Sequence, residues 1–446
     1  MIARLLLVLL LTPAGAALPV AEVGAATLEL AEKARLFRAA LHERHVSREG
    51  LVIYKIHLPT WEDDLARGTY PRLADTPFFN GSWAATSCTR ARVEPAGPER
   101  AAAMADARRA LDGLRFLMDV TGVQGLMARG VRRDEGLVMP PQDRPWLPGA
   151  PGFERYVYRA DVSADQYASG LVPAIAECAD LFPERTRRLA VDFASHLVRN
   201  DMRLVDARGV QTRFGDLSYR SGAGFNSIFQ LTGWAAFVLA AELDPDPRWA
   251  HQRDRLRDRL RVPARSRRTN LRILGVTNYS NDLMSWNLYR ALVPIARRNG
   301  DPALAELRHG LHRARLRGRG EPNAYFAALL CRIEPESCDR AALAAGRAVL
   351  EDFPIDKRAV IPSPERLAAL PRRWIPGRKW RAQASVIVPI ADRPRSSFEW
   401  KSNPYRLDGR DDPERGYTGL DYLAAYWLYR SIPGALEPPG EPRPTE

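Results

Sequence analysis

Lysine and long apolar runs are both scarce in this chain of 446 residues. Lysine occurs only at positions 33, 55, 357, 379 and 401, so arginine supplies almost all of the basic charge behind the net charge of +13. After the N-terminal region, no run approaches the ~20 apolar residues that a membrane-spanning helix needs. The hydrophobic fraction of 46% and the charged fraction of 27% are typical of a soluble folded protein.

Metal-binding motifs are missing as well. The sequence has no CxxC pair and no HExxH helix, so we predict no metal and no cofactor. Among the four cysteines, Cys331 and Cys338 lie across a short loop, where an oxidising compartment would favour a disulfide. Cys88 and Cys178 fall inside helical patterns and are expected to be small core residues, unless the fold brings them together.

The N-terminal 25 residues have the pattern of a secretory signal peptide. Arg4 is followed by the apolar stretch 5–11 and then by small residues such as those at 14–16. The protein is therefore expected to be exported, to the periplasm or the extracellular space. An exported protein meets no chromosomal DNA, so no nucleic-acid partner is expected despite the isoelectric point of 9.9. Alternating Asp and Arg at 253–261 is typical of a solvated helix face. A compositional preference for Arg and Ala is the favoured explanation of the excess positive charge, and a basic cleft for an anionic glycan is the alternative.

The rest of the chain is a series of segments with helical periodicity, separated by loops rich in Pro, Gly, Asn and Asp. Helices are predicted near 26–45, 81–93, 98–121, 163–180, 184–200, 224–243, 247–261, 280–298, 302–316, 322–333, 339–351 and 417–432. Most of them pair through short connections into helical hairpins. Roughly six hairpins with few strands favour either a solenoid or a closed α/α toroid.

Several segments are not helical. The stretches 51–58 and 383–390 are predicted strands, and 202–215 is a predicted β-hairpin. We expect one domain over 26–434, interrupted by a long excursion rich in Pro, Arg and Trp at 353–412, and followed by a disordered tail at 435–446.

These segments resemble those of exported bacterial proteins of unknown function in the six-hairpin glycosidase-like superfamily. The matching stretches are GSWAATSCTRARV (81–93), ALDGLRFLMDVTGVQGLMARGVRR (110–133), DVSADQYASG (161–170), RLVDARGVQTRFGD (203–216), GFNSIFQLTGWA (224–235), NYSNDLMSWNLYRAL (278–292) and EWKSNPYRLDG (399–409). The resemblance covers about residues 30–430 and implies an all-α (α/α)6 toroid with a few short β-hairpins in its loops. At Gln166, Tyr279 and Asn281 the sequence departs from the acids or histidines that would strengthen an enzymatic assignment.

Such a fold implies a funnel lined by the loops that precede the inner helices. Glycoside hydrolysis would need two carboxylates from different loops facing each other across that funnel. The acidic candidates in such loops are Asp75, Asp161, Asp216, Asp282, Asp408, Asp411 and Asp412. A catalytic pair drawn from Asp161, Asp216 and Asp282 is the favoured hypothesis.

Local structure competes with this hypothesis. Ser163 and Gln166 have capping-box spacing, which would place Asp165 in a first helical turn as an anion at the helix N-terminus. Ser280 would place Asp282 in the same way. Asp161 and Asp216 lie outside the helical patterns, where turn formation and catalysis are equally good explanations.

Aromatic rings and amides near the same loops are candidate sugar-binding groups, because pyranose faces stack on Trp and Tyr while Asn bonds the hydroxyls. They are Trp83, Asn226, Asn278, Tyr279, Trp400 and Asn403. A polysaccharide lyase acting on an anionic glycan, with Tyr279 as base and Asn278 with arginines as neutralisers, is the first alternative. A non-catalytic scaffold that binds an envelope glycan is the second.

Overall fold

The computed structural model describes residues 28–70, 73–134, 145–221, 227–272, 277–375 and 381–437. The predicted signal peptide and positions 438–446 of the predicted tail lie outside the described residues. Within them the protein is mostly helical, as the sequence predicts. No described helix combines the length and the apolar character that crossing a membrane requires.

Fifteen α-helices occur among the described residues. They are α1 (Leu30–Ala40), α2 (Trp61–Arg67), α3 (Thr76–Val93), α4 (Pro98–Asp119), α5 (Ala164–Gln166), α6 (Val172–Cys178), α7 (Pro183–Arg199), α8 (Ile228–Leu243), α9 (Pro247–Asp254), α10 (Tyr279–Arg298), α11 (Leu304–Arg317), α12 (Ala324–Ile333), α13 (Arg340–Glu351), α14 (Pro364–Ala369) and α15 (Leu420–Arg430). Each predicted helical segment overlaps at least one of them. The short helices α2 and α14 are absent from the prediction.

Six of these helices contact one another in series. α6 contacts α3 and α8, α10 contacts α8 and α12, and α15 contacts both α12 and α3. Five of the six also pack against the α-helix that follows them in the chain: α3 on α4, α6 on α7, α8 on α9, α10 on α11 and α12 on α13. One large apolar cluster runs through both sets of helices. The prediction of helical hairpins therefore agrees with these contacts.

A π-helical turn, Tyr167–Leu171, joins α5 to α6 in one continuous helix. Pro173 has no backbone N–H to donate within that helix, which favours a local departure from α-helical bonding. Gly170 lies against the start of α3, where a Cβ atom would come within 2.4 Å of the carbonyl oxygen of Pro77. Only glycine allows the two backbones to approach this closely.

The strands are short and lie in the connections. They are β1 (Lys55–His57), β2 (Gly130–Arg133), β3 (Trp146–Pro148), β4 (Tyr156–Arg159), β5 (Arg203–Val205), β6 (Gln211–Asp216), β7 (Arg358–Ala359), β8 (Arg372–Ile375), β9 (Arg381–Ala384) and β10 (Asp412–Tyr417). The sheet orders are β1-β10-β7, β2-β4-β3, β5-β6 and β8-β9, and every pairing is antiparallel.

Two of the three strand predictions agree with this arrangement. The predicted hairpin at 202–215 is β5-β6, and the predicted strand at 51–58 contains β1. The predicted strand at 383–390 is wrong for most of its length, because β9 ends at Ala384 and the chain then follows an irregular course.

A buried ionic network joins four helices, α3, α6, α10 and α12. The Glu177 carboxylate on α6 accepts hydrogen bonds from Arg290 Nε on α10 at 2.8 Å and from Arg332 Nη2 on α12 at 2.7 Å. Arg92 Nη1 on α3 adds a third contact at 3.3 Å. Burial disfavours ionisation of Glu177, but Arg290 and Arg332 outweigh it and lower the pKa of this carboxyl group to about 2.

All four cysteines are paired, as Cys88–Cys178 and Cys331–Cys338. The second pairing is the predicted one. The expectation that Cys88 and Cys178 are separate core thiols is wrong, because the close approach of α3 to the helix containing α6 brings their Cα atoms to 5.5 Å.

Replacing both Cys88 and Cys178 with alanine should lower the free energy of unfolding by about 2–4 kcal/mol, because that disulfide restricts the unfolded chain. The two cysteines are 90 residues apart, whereas Cys331 and Cys338 are separated by 7. Removing the Cys331–Cys338 disulfide should therefore lower the free energy of unfolding by a smaller amount. Chemical denaturation of both double variants measures the difference, and equal losses would contradict the expectation.

Candidate functional site

Charged side chains gather where α3 and α5 begin. We call the group formed by Lys55, Asp75, Arg129, Ser163, Asp165, Gln166 and Lys401 the Asp75 cluster. The residues come from β1, from the loops before β2, α3 and α5, from α5 itself and from the short 3-10 helix Glu399–Lys401. Five segments that are distant in sequence thus converge on one place.

Asp75 is the centre of this cluster. Its Oδ1 accepts hydrogen bonds from Arg129 Nη2 at 3.1 Å and from Gln166 Nε2 at 3.2 Å. Burial would raise the pKa of this carboxyl group, but the positive charges of Lys401, Arg129 and Lys55 outweigh it and lower the pKa below 3.8. The side chain keeps 28% of its surface exposed, so Asp75 is an ionised carboxylate that water can reach.

Arg129 connects Asp75 to the start of α5. Its Nη1 donates to Ser163 Oγ at 2.8 Å, and the Ser163 hydroxyl donates to the Asp165 carboxylate. The carboxylate of Asp75, in the loop before α3, and the carboxylate of Asp165, on α5, therefore lie at the two ends of one hydrogen-bonded chain. This is a carboxylate pair supplied by two different hairpins.

The two lysines of the cluster lie over aromatic rings. Lys401 Nζ is 4.5 Å from the ring centroid of Phe78, and Lys55 Nζ is 4.8 Å from that of Tyr54. These contacts hold the flexible lysine side chains near Asp75. Both lysines are only partly buried.

Gln166 does not complete the predicted capping box. The Ser163 side chain accepts no capping hydrogen bond from the backbone N–H groups of α5, because Ser163 Oγ is engaged with Arg129 and Asp165. Gln166 is fully buried and donates instead to the backbone carbonyl of Ala74 at 2.6 Å and to Asp75. A residue predicted to cap its own helix thus positions the loop before α3.

Asp161 lies beside the Asp75 cluster. Its backbone has φ of 64°, in the left-handed region that only Gly, Asn and Asp enter readily. Its backbone carbonyl accepts from Arg129 Nη1 at 3.3 Å, and its Oδ1 accepts from the backbone N–H of Arg213 at 2.7 Å. Asp161 therefore joins the loop before α5 to β6.

Asp216 and Asp282, the other two aspartates favoured from the sequence, have their hydrogen-bond and ion-pair partners outside the Asp75 cluster. Asp216, at the end of β6, accepts from the backbone N–H of Ser218 at 3.0 Å in a turn. Asp282, in the first turn of α10, is only 7% exposed and pairs with Arg317 of α11 at 3.1 Å. The ion pair with Arg317 directs the Asp282 side chain toward α11 and does not join it to the Asp75 cluster. A catalytic role for Asp282 stays a prediction.

The predicted sugar-binding aromatics are mostly core residues. Trp83 on α3 and Trp400 are each 2% exposed. The Trp400 indole N–H donates to the backbone carbonyl of Asp421 at 2.6 Å. Neither ring exposes a face to a ligand, because both tryptophan side chains are packed in the apolar interior.

The predicted amides have structural partners where they are described. Asn278 is the N-cap of α10 and accepts from the backbone N–H of Ser280 at 3.0 Å, which corrects the sequence-based choice of Ser280 as the cap. Asn403 accepts from the backbone N–H of Tyr405 at 2.9 Å. Asn226 lies outside the described residues.

A second polar group, absent from the sequence-based list apart from Tyr279, surrounds Glu321. Arg272 Nη2 donates to Glu321 Oε1 at 2.6 Å, and the Tyr279 hydroxyl donates to the same oxygen at 3.3 Å. Burial and the Glu321 carboxylate raise the pKa of Tyr279. Glu321 precedes α12 in a short loop, and no local sequence motif distinguishes it from other acidic residues.

Among the described residues, no group of three or more His, Cys, Asp or Glu side chains has a geometry that could hold a metal ion. Protein-family models, curated proteins and solved structures yield no significant match to this chain.

Proposed function

We propose that the protein is an exported, carbohydrate-active (α/α)6 toroid that binds an anionic glycan at the Asp75 cluster. The fold part of the proposal is supported by the contact series α3-α6-α8-α10-α12-α15, whose last member returns to the first. Each of these would be an inner helix, and the helices packed behind them would form the outer layer. The loops before the inner helices then surround a common opening.

Export is supported by the two disulfides. Such bonds persist in oxidising compartments and are rare in the cytosol. Both pairings form within the described residues, including one that joins two helices of the inner series. A secretory leader, as the N-terminal sequence pattern indicates, would deliver the chain to that environment.

The excess of positive charge around Asp75 is the observation that carries the binding proposal. Lys55, Arg129 and Lys401 surround one carboxylate and lower its pKa, while Asp165 is held on the far side of Ser163. A neutral sugar would leave the lysines of this partly buried site uncompensated. A uronate or another anionic sugar would supply the missing negative charge.

Hydrolysis is the reaction that this arrangement supports best. Asp75 is ionised, as a base or nucleophile must be, and Asp165 provides a second carboxyl group from the next hairpin. Asp161, one of the three aspartates favoured from the sequence, contacts the same Arg129 and stays part of the proposed site. A lyase reaction with Tyr279 as base is less well supported, because the raised pKa of that phenol opposes its deprotonation.

Incubation of the purified protein with uronate-containing and with neutral polysaccharides tests this proposal. We expect new reducing ends from an acidic polymer without the ultraviolet absorbance of unsaturated products. Absorbing products would favour the lyase alternative. Binding of the acidic polymer without any cleavage would identify the scaffold alternative.

Binding should also depend strongly on salt. Raising the ionic strength from about 0.01 M to about 1 M shortens the screening length from roughly 30 Å to 3 Å. The affinity for an acidic oligosaccharide should therefore fall steadily over this range. An affinity that does not change with salt would contradict a binding site built on charge.

A further inference from the structure

Three buried ionisable side chains that are not members of the Asp75 cluster meet beside α15. Lys357 precedes β7, Glu399 begins the short helix Glu399–Lys401, and Asp421 lies in the first turn of α15. Their side chains are 5%, 3% and 0% exposed. One ammonium and two carboxyl groups thus share a space that is closed to water.

The lysine nitrogen lies against both carboxyl groups. Lys357 Nζ is 2.8 Å from Asp421 Oδ2 and 3.6 Å from Glu399 Oε1. Backbone groups fix the two acids, since the Glu399 N–H donates to Asp421 Oδ2 at 3.0 Å and the Ser396 N–H donates to Glu399 Oε1 at 2.8 Å. The amine and the Asp421 carboxyl group are therefore held together in a fixed orientation.

The three groups have both aromatic and cationic neighbours, since the buried guanidinium groups of Arg393 and Arg395 interact electrostatically with Glu399. Lys357 Nζ is 5.0 Å from the centroid of the Phe353 ring, and Trp400 and Tyr422 adjoin the site in sequence and are buried. A low-dielectric environment weakens the preference of an amine and an acid for their charged forms. A reaction between the two groups would begin with transfer of one proton from the Lys357 ammonium to the Asp421 carboxylate across their 2.8 Å contact.

Glu399 has the properties of a proton carrier. Burial, assisted by the Asp421 carboxylate and opposed by Lys357, raises the pKa of Glu399. Its Oε2 is buried and has no hydrogen-bond partner. In this position, a protonated Glu399 carboxyl group can donate its proton to the oxygen that leaves Asp421.

We propose that Lys357 and Asp421 condense to form an intramolecular amide bond, with Glu399 as the proton carrier. The neutral amine of Lys357 attacks Cγ of Asp421 and forms the N–C bond. Glu399 gives its proton to one carboxyl oxygen of Asp421 and takes a proton from the attacking nitrogen. The C–O bond then breaks, and one water molecule leaves. No oxidant, reductant or further reactant takes part.

The bond would join positions 64 residues apart. It would attach the long excursion between α13 and α15 covalently to an inner helix of the proposed toroid. A permanent cross-link restricts the unfolded chain as a disulfide does, but reducing agents would not break it. This inference does not depend on the proposed glycan activity.

Mass spectrometry of the intact, fully reduced protein tests the proposal directly. We expect a mass lower than the sequence mass by one water molecule, and a branched peptide that joins Lys357 to Asp421 after proteolysis. A wild-type protein of full sequence mass would overturn the proposal and leave Lys357 and Asp421 as an ion pair.

Three variants locate the reaction. Lys357→Met and Glu399→Gln should each have the full mass of their own sequences. Lys33→Met is the matched control, because Lys33 is also a buried lysine but donates to backbone carbonyls such as that of Phe353, at 3.1 Å. This control should keep the loss of water. Loss of water from Lys357→Met would overturn the assignment of the bond, and loss from Glu399→Gln would overturn the role of Glu399.

Discussion

Replacing Glu177 with glutamine should lower the free energy of unfolding by about 3–5 kcal/mol, the usual cost of removing one partner from a buried ionic network. Glu177 is 8% exposed at its side chain and Arg290 is 4% exposed. Glutamine keeps the size of the side chain but leaves the buried guanidinium groups of Arg290 and Arg332 without a counter-charge. Urea denaturation of the variant and the wild type measures the difference.

The difference in the free energy of unfolding between wild type and Glu177→Gln should depend on pH. The pKa of Glu177 falls from an ordinary value of 4.5 to about 2 in the folded protein. Its contribution to stability is therefore complete above pH 4.5 and is lost as the pH falls toward 2. The difference in stability between wild type and Glu177→Gln should therefore become smaller as the pH falls from 4.5 toward 2.

Glu184 supplies the control for this prediction. It also contacts two arginines, Arg187 at 3.0 Å and Arg188 at 2.7 Å, but the group is exposed. Glu184→Gln should have little measurable effect on unfolding, because solvent screens exposed ion pairs. Equal effects of the two variants would contradict a central structural role for the buried network.

Replacing Asp75 with asparagine should lower kcat on an acidic glycan by about 10²–10⁴-fold, the usual contribution of a positioned acid or base. Asparagine has nearly the same shape and can still accept the hydrogen bond from Arg129, but it cannot act as base or nucleophile. Since nearby cations lower the pKa of Asp75 below 3.8, the acidic limb of the wild-type rate profile should also lie below that pH.

Asp258→Asn is the matched control for Asp75→Asn. Asp258 is an exposed aspartate that also pairs with an arginine, Arg257, at 2.7 Å. Its replacement should leave kcat and KM unchanged. If Asp75→Asn changes KM alone, the carboxylate contributes to binding and the catalytic base must be sought elsewhere.

The helices other than α2 and α14 could be predicted from the sequence because each carries its own periodicity and its own loop signals. The pairing of Cys88 with Cys178 could not, since it depends on the close approach in three dimensions of two helix backbones at Gly81 and Gly170. Glu177 shows the same limit: a single acid in an apolar helix gives no indication that arginines from two later helices reach it.

Only part of the candidate site is predictable from the sequence. The sequence points to Asp161 because this residue lies outside the helix that follows it, and its backbone carbonyl does contact Arg129. Asp75 is one of the acidic candidates, but the sequence does not favour it, since its cationic neighbours Lys55, Arg129 and Lys401 come from distant segments. The sequence pattern places Asp165 at a helix start, and its link through Ser163 to Arg129 depends on the tertiary fold.

Calorimetric titration with a uronate oligosaccharide and with its neutral counterpart tests the central claim most directly, using wild type, Lys401→Met and Lys33→Met. We expect wild type and Lys33→Met to bind the acidic ligand and not the neutral one. Loss of one charge-assisted contact, about 1.5–3 kcal/mol, should weaken binding to Lys401→Met roughly tenfold to a hundredfold. Equal affinity of wild type for both ligands, or an undiminished affinity of Lys401→Met, would contradict an anionic-glycan site at the Asp75 cluster.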